Sequence, residues 1–147
     1  MTVLEHLRRI LAESIEQPLA DVGIKLTGDR SGYTVAHYAG RKGDFERTVT
    51  VVRDKWWSKN RGRFIIFLEV ERKESSDSTS ERGRPDTVDV PLGDLMGRDT
   101  SDWKIWATDD ATPFIEQLHK GMCEHGIPWL ERVSDPEGFL QWQEDEY

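Results

Sequence analysis

Between Arg53 and Phe64 the sequence reads RDKWWSKNRGRF, which interleaves Arg53, Lys55, Lys59, Arg61 and Arg63 with Trp56 and Trp57. Cations spaced among aromatic rings can grip phosphates and stack bases, so these seven residues are the candidate ligand-binding set. Five cations against Asp54 alone give this segment +4, which leaves −12 on the rest of a chain whose net charge is −8. The competing reading is a hairpin between two strands, its lysines guarding an exposed edge and one tryptophan turned to the core. The acidic total weighs against nucleic acid as the partner, because a nucleic-acid module is normally basic as a whole.

A second cluster is His119, Cys123 and His125. His119 and Cys123 are four residues apart and share a helix face, as two zinc ligands must. Two ligands do not close a structural site, and His125 is expected at a helix end, pointing elsewhere. No metal or other cofactor is therefore expected. Cys123 would need a nearby cation or a helix N-terminus to act as a nucleophile. It is placed instead near an expected C-terminus. Carboxylate pairs such as Asp109–Asp110, Glu69–Glu71 and Glu144–Asp145 carry little information in so acidic a chain. Neither a Gly-rich phosphate loop nor a G-x-S-x-G elbow is present. No residue stands out as catalytic, and an enzyme is the least supported class.

The elements that must position these residues follow from periodicity. Val3, Leu4, Leu7, Ile10, Leu11 and Ile15 recur at helical spacing, with Thr2 and Glu5 forming a capping box. Pro18 should kink or restart that helix, and Gly23 should stop it. Alternation then predicts strands over 32–39 and 45–57, joined by a turn at 40–44. A third and most apolar strand, RFIIFLEVE, is expected to be central and covered on both sides. Residues 72–86 lack any apolar side chain and read as a mobile loop. TVDVPL and WKIWA are short strands. Thr112 with Pro113 should start a helix that Gly126 ends, followed by a short terminal helix. The expectation is one α+β domain over 1–147: an N-terminal helix, an antiparallel meander, and C-terminal helices packed on one sheet face.

The order of these pieces resembles the bacterial domain of unknown function 4304 family. The resemblance is carried by LADVGIKLTGD, TVTVVRDKWW with RFIIFLEVE, GDLMGRDTSDWKIW, and TPFIEQLHKGMCEHGIPWLERVSD. It differs at Gly23-Ile24, where the family has Gly-Phe. The likeness implies the fold and a bacterial origin, and it brings no catalytic residue with it.

A single cysteine and the lack of an apolar leader or span fit a cytoplasmic protein that is not embedded in a membrane. The functional expectation is a protein-binding module of an immunity-like kind, whose acidic remainder steers a basic protein partner. The alternative is an anion or nucleic-acid binder using the hairpin 53–63.

Overall fold

The computed structural model describes residues 1–55, 57–73 and 86–146. The capping box predicted at Thr2 and Glu5 starts α1 (Val3–Ser14), which buries Val3, Leu7, Ile10 and Leu11. A second helix, α2 (Glu16–Asp21), restarts after Ile15. Pro18 explains the break, since it has no N–H to give the Ser14 carbonyl four residues back. That carbonyl is met instead by His119 Nδ1 at 3.1 Å.

The sheet is antiparallel. Strands β1 (Lys25–Leu26), β2 (Thr34–Lys42), β3 (Phe45–Arg53), β4 (Arg61–Arg72) and β5 (Thr87–Pro91) lie in sequence order. The strand β6 (Asp102–Trp106) leaves that order and pairs with the first half of β4, alongside β5. The meander is therefore correct up to β5 only. The β2–β3 hairpin is tighter than the turn expected at 40–44. Lys42 pairs with Phe45, so the turn is Gly43-Asp44, with Gly43 at φ +61°. The next strand ends at Arg53, not Trp57.

One face of the sheet presents Tyr38, Phe45, Val49, Val51, Phe64, Ile66, Leu68, Val70, Val88, Val90, Trp103 and Ile105, all buried. The helices cover this face. A short α3 (Leu92–Leu95) abuts β4, α1 packs on α4 (Ala111–Gly121), and α5 (Ile127–Val133) and α6 (Pro136–Glu146) complete the layer. The two-sided burial expected of RFIIFLEVE does not hold. Phe64, Ile66, Leu68 and Val70 are buried, whereas Ile65 and Phe67, which point the other way, are only half-buried. The helical layer is on one side of the sheet, and among the described residues no helix covers the opposite, open face.

The helix predicted to begin at Thr112 is capped by Asp110, whose side chain accepts from the Thr112 N–H at 3.1 Å. Gly126 does not end it. A π-turn (Met122–Gly126) joins α4 to α5, and Gly126 keeps right-handed helical angles. The Ile127 N–H reaches back five residues to the Met122 carbonyl. The widened turn makes room for Pro128, whose ring would otherwise press on the Glu124 carbonyl. The reason for glycine at 126 is close packing. A Cβ there would come within 2.6 Å of Met122 Sδ, 3.2 Å of Leu92 and 3.3 Å of Leu68.

The mobile loop expected over 72–86 falls mostly at 74–85, outside the described residues. At its ends Arg72 belongs to β4, and its N–H donates to the Asp86 carbonyl at 2.8 Å. No helix among the described residues is long and apolar enough to cross a membrane.

Candidate functional site: the open sheet face

Outward positions of β4 follow from its alternation. They are Arg61, Arg63, Ile65, Phe67, Glu69 and Glu71 in that order. Along one strand the exposed face therefore runs from two cations, through two apolar residues, to two carboxylates. Directly opposed residues of an antiparallel ladder share a face, so the register extends each zone sideways. Glu46 faces Glu71 and Asp89 faces Glu69, while on its other side Glu46 faces Arg41 of β2. Val52 lies beside Ile65, and Thr50 and Pro91 flank Phe67. Lys104 faces Arg63 and Trp106 faces Arg61.

At the acidic end, two carboxylate pairs sit directly across strands, an arrangement that costs stability. Lys73 offsets it in part, with its Nζ 3.7 Å from both Glu46 and Glu71. Burial, Asp89 and then Glu71 push the Glu69 carboxyl above the usual range, against a hydrogen bond from Thr48 at 3.4 Å. Lys73 does not reach the Glu69–Asp89 pair.

The basic end surrounds a shallow cavity of about 440 Å³ lined by Asp54, Arg61, Arg63, Lys104 and Trp106. The Arg61 guanidinium lies 5.5 Å from the Trp106 ring centre, and Trp106 is 48% exposed. Arg63 reaches Asp102 only at 3.9 Å. Lys104 has no ion-pair partner among the described residues. Asp54 holds the edge of β4 through its N–H to the Arg63 carbonyl at 3.1 Å. Its Oδ1 is buried with no hydrogen-bond partner among the described residues.

Of the six candidate residues that are described, the structure brings only Arg61 and Arg63 to this cavity. Arg53 lies over the Tyr33 ring at 5.2 Å. Lys55 and Lys59 are exposed in the connecting turn, where the Lys59 carbonyl accepts from the Val3 N–H at 2.9 Å. Trp57 lies on Gly62, where a Cβ would collide with its ring, and packs against the core. Trp56 lies outside the described residues. Lys104 and Trp106 were missed as site residues because the pairing of β6 with β4 is non-local, and Asp54 was counted only as the one negative charge of its segment. The ordered charges of β4 were available to a reading of every second residue in RGRFIIFLEVER.

The His119–Cys123 pair does come together, with Sγ 3.7 Å from Nε2. A carbonyl only accepts, so the Nδ1 of His119 carries its proton toward Ser14 and leaves Nε2 facing the thiol. Cys123 lies within the continuous helix, not near its end. Burial, followed by Glu124 and Asp21, pushes its thiol upward, which disfavours the thiolate. His125 belongs to a different cavity, beside Met96 and Lys120. Among the described residues no three His, Cys, Asp or Glu side chains converge as a metal site.

Elsewhere the unusual charge is structural. Arg47 sits on the covered face, 3% exposed. It donates to the Val22 carbonyl at 2.8 Å and to Glu131 at 3.2 Å. Lys42 reaches Glu131 at 2.9 Å. The Lys42 hydrogen bond, aided by the Lys42 and Arg47 charges, holds the Glu131 carboxyl below the usual range.

Comparisons of the chain with protein-family models, curated proteins and solved structures find no match.

Proposed function

We propose that the chain is a protein-binding module whose docking surface is the open face of its sheet. A partner would set an apolar side chain against Ile65 and Phe67 and bring cations to Glu46, Glu69, Glu71 and Asp89. The observation that carries this reading is the pair of directly opposed carboxylates, Glu46 with Glu71 and Glu69 with Asp89. Like charges in this register weaken the free protein, and a cationic partner removes the repulsion on docking. The half-buried apolar centre supplies the contact that charge alone does not. An immunity-like neutraliser of a basic protein fits these features.

A photocrosslinking residue at Thr50, in the open face, tests the reading against the same residue at Arg9, on the exposed side of α1. Irradiation in source lysate should join a basic protein to the Thr50 variant at low salt, less so at high salt, and none to the Arg9 variant. Equal labelling at both positions, or none at Thr50, would refute it.

A second reading is favoured by the cavity of the basic end, where Arg61, Arg63 and Lys104 surround an exposed indole. These groups suit an anionic ligand with a flat ring, and a single nucleic-acid strand is one such ligand. Recovery of nucleic acid in place of protein on the Thr50 variant would favour it.

A further inference from the structure

The open face is complementary to itself. A two-fold axis lying in the plane of the face, across β4 and between Ile65 and Phe67, reverses the strand and turns the face over. Glu71 then meets Arg61 of a second copy, Glu69 meets Arg63, and Phe67 meets Ile65. The same operation places Asp89, on β5, against Lys104 on β6, because both strands flank β4 on the same side. All of these matches arise from one rotation, and each occurs twice in an isologous contact. On β3, Thr50 falls opposite Val52, which is compatible with a sheet-to-sheet contact.

Resting on the docking reading above, we infer that this face closes on a second, antiparallel copy of the chain when no other partner occupies it. The size of the surface sets how firmly. The 12 residues of β4 at about 3.3 Å each span roughly 40 Å, and three strand columns with their side chains are roughly 15 Å wide. That is on the order of 600 Å² per copy, at the lower edge of specific interfaces. The pair is therefore weak and salt-sensitive. It shields the carboxylates and the apolar centre, and a basic partner competes with the second copy for the same surface.

Sedimentation velocity of the purified full chain over a concentration series tests this. At about 50 mM salt a monomer–dimer equilibrium is expected, shifting to monomer at about 0.5 M as the charges are screened. Charge reversal supplies the decisive arm. The variant Arg61→Glu/Arg63→Glu and the variant Glu69→Lys/Glu71→Lys should each self-associate at least about tenfold more weakly, since like charges then meet. Mixed in equal amounts, they should form a 1:1 dimer as tight as the parent or tighter. A chain carrying all four substitutions should dimerise like the parent, which also checks that the substituted face folds. A monomeric parent at low salt, or single-end variants that dimerise unchanged, would overturn the inference. So would a mixture that fails to associate. Crosslinking of the Thr50 variant to a basic protein while the purified chain stays monomeric would overturn the second copy and leave the docking reading standing.

Discussion

Replacing Glu69 by Gln should stabilise the free protein, even though it removes a charge from a protein surface. Glu69 faces Asp89 directly across β4 and β5, with Glu71 two residues along the same face. Directly opposed like charges cost about 0.2–1 kcal/mol, and the half-buried position of Glu69 places it in the upper part of that range. The amide keeps the shape, and its Oε1 can still accept from Thr48. The expected gain at pH 7 and low salt is thus about 0.5–1 kcal/mol, or about 1–4 °C in Tm for a chain of this size. The pH dependence fixes the cause. The folded-state pKa of Glu69 lies above its ordinary value of 4.5, so the native state holds this proton more firmly than the unfolded state. Its ionisation therefore lowers stability as pH rises from the unfolded pKa through the folded one, and the penalty is complete above the latter. The advantage of Glu69→Gln should be full at pH 7, shrink as pH falls through the raised pKa, and vanish below the ordinary carboxylate value. Chemical denaturation at pH 7 and pH 4, each at low salt and about 1 M salt, measures all of this. A variant no more stable than the parent at pH 7, or a gain that persists unchanged at pH 4, would show that the carboxylates do not repel one another as described.

Two further substitutions test the covered side of the sheet. Glu131→Gln should cost about 1–2 kcal/mol at pH 7, because it leaves buried Arg47 without its counter-charge, a loss reduced by the partial exposure of Glu131. The folded pKa of Glu131 is depressed, so its contribution is present above the ordinary carboxylate value and disappears as pH falls through the lower folded value. Denaturation of parent and variant should accordingly converge in acid; a constant difference at every pH would contradict the ion-pair account. Gly126→Ala should cost about 1–3 kcal/mol by crowding Met122, Leu92 and Leu68, as read from thermal unfolding. A neutral or stabilising effect would mean that glycine is not required by packing there.

Strands β2 to β6 and the first helix were legible because each buries one face, and burial imposes a period of two or 3.6 on the sequence, whereas the exposed two-residue β1 left no such signal. The capping box at Thr2 was equally local. Gly126 misled for a physical reason. Glycine serves both helix ends and close approaches, and only the neighbouring Leu68 and Leu92 side chains decide which applies. The place of β6 could not be read locally either, since Asp102–Trp106 pairs with β4 across more than 35 residues of chain. That pairing is what adds Lys104 and Trp106 to Arg61 and Arg63. The expectation that RFIIFLEVE is covered on both sides failed because Ile65 and Phe67 look like core residues on any apolarity scale. Composition cannot distinguish a second core face from an exposed apolar strip.

The order of charges on β4 separates a binding surface from mere solubility. Solubility depends on net charge and on keeping apolar patches small, and it is indifferent to where along a strand each sign falls. Stability is not indifferent. Arginines interspersed with glutamates on neighbouring strands would form cross-strand ion pairs, where the present register opposes Glu46 to Glu71 and Glu69 to Asp89. The interspersed arrangement would be as soluble and more stable. Along β4 itself the cations Arg61 and Arg63 lie at one end and the carboxylates Glu69 and Glu71 at the other, with Ile65 and Phe67 half-buried between them, while Arg41 beside Glu46 and Asp102 beside Ile65 on the neighbouring strands temper the contrast. That ordering gives up stability in the isolated chain and gains something only when an opposing surface supplies the complementary signs. A face of this kind is therefore best understood through what it meets, and its own reversed image is the first surface that fits.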